Sequence, residues 1–138
     1  WEEQKQNTVL IVLILEVVVM VLLYLSKVEK QKEKEKKQKE DMESDYPKIV
    51  GQMTLLLGAG MTIPQAWSRI AFQYKGKRQL ELVEERPAFE EMVYINRRMQ
   101  EGESEREALS HMEQRIPLLS YRRLVHIVLN NKSKGGDV

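Results

Sequence analysis

Residues 55–67 read Leu55-Leu56-Leu57-Gly58-Ala59-Gly60-Met61-Thr62-Ile63-Pro64-Gln65-Ala66-Trp67. An apolar run stops on glycine, and a second apolar run opens a few residues later. Glycine takes the left-handed conformation that closes a helix. Thr62 with Gln65 has the spacing of a capping box, and Pro64 sits in a first turn, where a missing N–H costs little. The stretch therefore predicts the end of one helix, a tight reversal and the start of another. Gly58 and Gly60 are expected to be structural.

The same reading extends in both directions. Upstream, Tyr46, Ile49, Val50, Met53, Leu56 and Leu57 share one helical face, with Asp45 as the expected N-cap and Pro47 in the first turn. Downstream, Ile63, Ala66, Trp67, Ile70, Ala71 and Tyr74 form an apolar stripe that Gly76 is expected to stop. Beyond a charged linker at 77–86, in which Leu80, Leu82 and Val83 could support some helix, a third helix is predicted over 87–100. It turns Phe89, Met92, Val93 and Met99 inward. Gly102 ends it, and Ser104 with Glu107 forms a second capping box before Ala108, Leu109 and Met112. Pro117 breaks the chain. A fifth helix over 118–131 turns Leu118, Tyr121, Val125, Val128 and Leu129 inward, and 132–138 reads as a Gly-rich exit. No useful strand alternation occurs. Residues 45–138 are expected to form an all-α antiparallel helical bundle with Trp67 and Tyr121 buried.

The amino-terminal part is of another kind. Val9 to Leu25 reads VLIVLILEVVVMVLLYL, in which Glu16 is the one polar residue. At 1.5 Å per residue it spans about 26 Å, and Thr8 and Ser26 bring it near the hydrocarbon thickness. Its Leu, Ile and Val residues favour insertion by roughly 4–8 kcal/mol, against about 3 kcal/mol for the carboxylate. Residues 8–26 are read as a transmembrane helix after an extracytoplasmic tail, 1–7. Glu16 either pairs with another membrane helix or is protonated or shielded there. Residues 27–44 read as a charged helical stalk. Lys27, Lys30, Lys32, Lys34, Lys36, Lys37 and Lys39 follow the span, whereas Lys5 alone precedes it. This bias places the carboxy-terminal side in the cytoplasm. Lys27 to Lys32 lie where anionic lipid would attract them.

The formal net charge of the 138-residue chain is +1, and it contains no cysteine and two histidines. These facts argue against a general nucleic-acid binder and exclude disulfides and cysteine chemistry. No phosphate-binding loop, nucleophile elbow or zinc-protease motif is present. His111 and His126 read as structural, and Glu84/Glu85 and Glu90/Glu91 as solvated pairs. No catalytic residue, cofactor or metal site is expected. Asn131-Lys132-Ser133 matches a glycosylation acceptor that a cytoplasmic location would leave unused.

In order, the run Leu55–Trp67, the segment Gly102-Glu103-Ser104-Glu105-Arg106-Glu107-Ala108-Leu109, then Ile116-Pro117 with Tyr121, and the closing Asn131-Lys132-Ser133-Lys134-Gly135-Gly136 resemble the type II secretion F-domain family. Asp45-Tyr46-Pro47 to Val50, with Ala66-Trp67, is most similar to its tight-adherence (Tad) pilus branch. Asn131 stands where the family often has Glu. The resemblance implies an incomplete six-helix F-domain in the inner membrane of a bacterial cell. It implies a non-enzymatic platform for pilus assembly or type II protein secretion. Its partners would be a secretion or pilus ATPase, pilin subunits, other platform proteins in a homo- or hetero-oligomer, and the lipid membrane, with no nucleic acid. A last helix and further membrane helices are missing from the pattern, and the first residue is Trp rather than Met, so a truncated chain is expected. The alternative is a membrane-tethered helical adaptor or signalling module binding a soluble partner. A working surface is expected at Arg86, Glu90, Glu91, Arg97 and Arg98, off the apolar stripe of the third helix, where changes should spare the fold. Gly58, Gly60, Thr62, Pro64, Trp67, Gly102, Ser104, Pro117 and Tyr121 are expected to be the structural motif.

Overall fold

The computed structural model describes the backbone of residues 1–134 and the side chains of residues 1–130. Five α-helices and, among the described residues, no strand are present: α1 (Glu2–Gly58), α2 (Ile63–Gln79), α3 (Pro87–Gln100), α4 (Glu105–Arg115) and α5 (Leu119–Lys134). The chain divides into two compact units, Trp1–Lys37 and Gln38–Val138.

The first unit is helical throughout from Glu2, and all its residues up to Lys27 are exposed. The stretch Val9–Leu25 is apolar apart from Glu16, and none of the described residues buries it. It is long and apolar enough to cross a membrane.

The second unit is a helical bundle in which α2 packs on α3, α3 on α4 and α4 on α5. Ile49 and Met53 of α1 join its core, which Trp67, Ile70, Met92, Leu109, Met112, Tyr121 and Val125 dominate. Trp67 and Tyr121 are fully buried, as expected. The indole N–H of Trp67 donates to the Met92 carbonyl at 3.0 Å, so its one polar atom is satisfied inside the core. Ala88, Ile95 and Asn96 are also buried on α3, whereas Val93 and Met99 pack at its margin. Leu124 adds to the expected face of α5, with Leu118 and Leu129 at its edge.

Several expected boundaries are corrected. No new helix begins at Asp45, because α1 runs through Pro47. Proline cannot donate to the Glu43 carbonyl, but Glu43 is exposed and water can replace that bond. Asp45 is not a cap: it is buried against Arg86. The second compact unit includes residues 38–44, read above as the end of the stalk. Tyr121 donates its hydroxyl hydrogen to the Met42 carbonyl, and Ser120 bonds to Glu43. Gly76 does not stop α2, which continues to Gln79, and the linker that follows is not helical. The expected Gly-rich exit is helical through Lys134. Residues 135–138, the last two of the closing Asn131–Gly136 element among them, lie outside the described residues, as do the side chains of Asn131-Lys132-Ser133.

Three helices end alike. Gly60 (φ 88°), Glu81 (φ 54°) and Gly102 (φ 100°) follow α1, α2 and α3 in the left-handed conformation. At each end two backbone N–H groups return to the last turn: Met61 to Leu56 and Gly60 to Leu57, Leu82 to Lys77 and Glu81 to Arg78, Glu103 to Arg98 and Gly102 to Met99. Gly58 itself is helical. At the next helix starts, the Thr62 N–H donates to Gln65 Oε1 at 3.1 Å. Ser104 and Glu107 bond reciprocally, through the Ser104 N–H and the Glu107 N–H. Pro117 holds the preceding Ile116 extended, which ends α4.

Candidate functional surface

The five charges expected to form a free surface separate into two internal brackets and one exposed residue. Arg86, at the start of α3, points back to α1. Its Nε lies 2.7 Å from Asp45 Oδ2, and its Nη1 lies 3.6 Å from Asp41. The Arg86 backbone N–H donates to the Tyr74 hydroxyl oxygen at 2.9 Å, and that hydroxyl donates to Glu90 at 2.7 Å. Burial, with the Glu90 carboxylate beside it, pushes Tyr74 up to about 12. The hydrogen bond to Asp45 holds Arg86 above its ordinary value.

The second bracket ties α3 to α4. Arg98 bonds to Glu103, donates to the Tyr94 hydroxyl at 3.1 Å, and lies 3.3 Å from His111 Nε2. His111 is also 3.0 Å from Glu103. The Arg98 hydrogen bond lowers Glu103 and raises Arg98. Arg115 of α4 sits 4.2 Å over the Tyr94 ring and grips Glu91 with two bonds of 2.8 and 2.9 Å. This bidentate geometry raises Arg115.

Four of the five charges expected to stand free are therefore engaged. Arg86, Glu90, Glu91 and Arg98 each join separate helices. Glu90 and Glu91 are not a solvated pair, because each has its own partner. Arg97 alone is strongly exposed, 3.9 Å from Glu101 on its own helix end. His111 has the contacts given above, and the exposed His126 lies 3.8 Å from Glu113. Among the described residues, no three of His, Asp and Glu converge as a metal site requires.

The lysines behave differently. Lys48 and Lys77 are exposed and have no ion pair among the described residues. Sequence reasoning passed over both, since a lone lysine on a helix carries no signal until the neighbouring helix is placed. Family models, curated proteins and solved structures were each compared with the chain, and none matches.

Proposed function

We propose that this chain is a non-enzymatic membrane platform component of a pilus-assembly or type II secretion machine, with its bundle in the cytoplasm, coupling a secretion ATPase to pilin assembly. One observation carries the reading: the residues of the resemblance are those that make the turns of the bundle. Gly60 closes α1 and Thr62 with Gln65 opens α2, whereas Gly102 closes α3 and Ser104 with Glu107 opens α4. Trp67 and Tyr121 anchor the core between them. The apolar segment 8–26 supplies the anchor, and the lysines after it favour a cytoplasmic bundle.

The test is retention of the secretion ATPase of the same cell by the tagged full chain in mild detergent. Retention is expected to weaken as salt rises and in Arg97→Glu, which leaves both brackets in place. Failure of the folded chain to retain the ATPase, together with normal pili in a deletion strain, would reject the platform. Orientation is tested with cysteines introduced at residues 3 and 77 in intact cells. An impermeant reagent is expected to label residue 3 only.

A further inference from the structure

α1 carries one row of side chains whose charge changes sign along its length. The row steps by alternating intervals of four and three residues, the spacing of a seam between two helices. From Glu16 it passes Met20 and Leu23 and reaches Lys27, Lys30, Lys34 and Lys37. Every residue of the row is exposed, and none of its charges has an ion pair among the described residues. Glu33 and Glu40 flank the lysines, so four cations stand against two flanking carboxylates. Asp41, the next step of the row, is held 3.6 Å from Arg86.

The two parts of the row make opposite demands. Glu16 lies about 10 Å from one end of the apolar run 9–25 and about 14 Å from the other, too far for its short side chain to reach water. Its neighbours one turn away, Val12, Leu13, Val19 and Met20, offer no side-chain donor. In a bilayer the carboxylate must therefore be met by another membrane helix. A second copy of the chain brings no counter-charge, because residues 9–25 contain no lysine, arginine or histidine on any face. The lysines need the reverse. Lys34 and Lys37 stand about 12 and 17 Å beyond Ser26, past a headgroup layer of roughly 5–8 Å, so lipid phosphate reaches Lys27 and Lys30 only. A single helix that is basic inside the membrane and acidic beyond it complements the whole row.

We propose that this row seats a membrane helix of a partner protein, with a lysine or arginine at the depth of Glu16 and carboxylates beside Lys30, Lys34 and Lys37. The seat rests on reading residues 8–26 as a transmembrane helix and is independent of which machine the chain serves.

The test is energy transfer in phosphatidylcholine vesicles between the full chain, labelled at a cysteine introduced at residue 3, and a synthetic probe. The probe is a leucine helix of about 20 residues with one central lysine and a water-soluble tail carrying glutamate at every third or fourth position. Saturable transfer is expected. Glu16→Leu should weaken it about tenfold, leucine in place of the probe's lysine should do the same, and the two changes together should cost no more than either alone. Lys34→Gln/Lys37→Gln should weaken it about threefold and remove most of its salt dependence. Equal transfer to an all-leucine probe without charges would overturn the proposal, as would additive losses from the two changes at Glu16 and the probe's lysine. Transfer between two labelled copies of the chain that Glu16→Leu abolishes would give the row to a second copy instead, and displacement of the probe by phosphatidylserine would give it to lipid. Alkaline carbonate extraction separates the two readings: a chain stripped from the vesicles removes the span and the seat with it, whereas an inserted chain that ignores the probe removes the seat alone.

Discussion

Residues 27–37 contain six lysines and no arginine, whereas every arginine of the chain lies at Arg69 or beyond. In the first unit the lysines are exposed and enter no ion pair among the described residues. In the second, the cross-helix brackets are built on Arg86, Arg98 and Arg115. The difference follows from the two head groups. A guanidinium presents a planar fork that grips a carboxylate in fixed geometry and stacks on a ring, as Arg115 does on Glu91 and Tyr94. An ammonium is a strongly hydrated point charge on a flexible stem. It suits a solvated helix and fixes nothing to a neighbour.

The apolar residues divide the same way, and there the largest effect is expected. Trp67→Ala removes a fully buried indole together with its hydrogen bond to the Met92 carbonyl. It should cost about 3–5 kcal/mol of bundle stability. Leu22→Ala, on the exposed apolar helix, should cost the bundle nothing. Chemical denaturation of the full chain in detergent compares the two, and similar midpoints would break the division.

Charge comes next. Arg86→Leu strands Asp45, which is 8% exposed, and should cost about 2 kcal/mol, less than a fully buried pair because Arg86 itself is partly in water. Lys34→Gln in the first unit should stay within about 0.5 kcal/mol of the parent. Arg86→Lys sharpens the point: if the fork matters, lysine restores only part of the loss. Full restoration would show that charge alone holds the bracket.

How far the sequence carries the argument follows from where each signal is stored. Gly60, Gly102, Ser104 and Pro117 act within one turn of themselves, so their roles were legible. The Asp45–Arg86 pair joins residues 41 positions apart and has no local trace. Pro47 and Gly76 gave true local signals that lost. One missing hydrogen bond or one flexible residue costs only a few kcal/mol, and the packing of Ile49, Met53 and Tyr74 outweighs it. The charges of the third helix were legible in the sequence but their geometry was not, because whether an arginine faces solvent or a carboxylate depends on the helix beside it.

The turns provide a finer comparison. Gly60→Val places a β-branched residue at φ 88°, and no atom crowds the new Cβ, so the cost is backbone strain alone, about 1–2 kcal/mol. Gly58→Ala lies in α1 with equally open space, and should be neutral or stabilising by up to about 1 kcal/mol. A matching loss at both positions, read from thermal melting, would show that the turn is held by something other than its left-handed residue.

The smallest effect has the opposite sign. α2 closes with the same two backbone bonds as α1 and α3, 2.9 Å from Leu82 to Lys77 and 3.0 Å from Glu81 to Arg78, but its left-handed residue is glutamate. A side chain there costs about 1 kcal/mol relative to glycine. Glu81 is exposed and forms no ion pair among the described residues, so none of them offsets that strain. Its charge also stands at the negative end of the α2 dipole, a second small penalty. Against this, glycine loosens the unfolded chain by a few tenths of a kcal/mol. The balance predicts that Glu81→Gly raises stability by about 0.5–1 kcal/mol, seen as a higher denaturation midpoint with unchanged slope. Glu81→Asn, which tolerates the left-handed region through its short polar side chain, should recover part of that gain. A lower midpoint in both would mean that the turn draws on the glutamate side chain, and that the three helix ends are alike in backbone only.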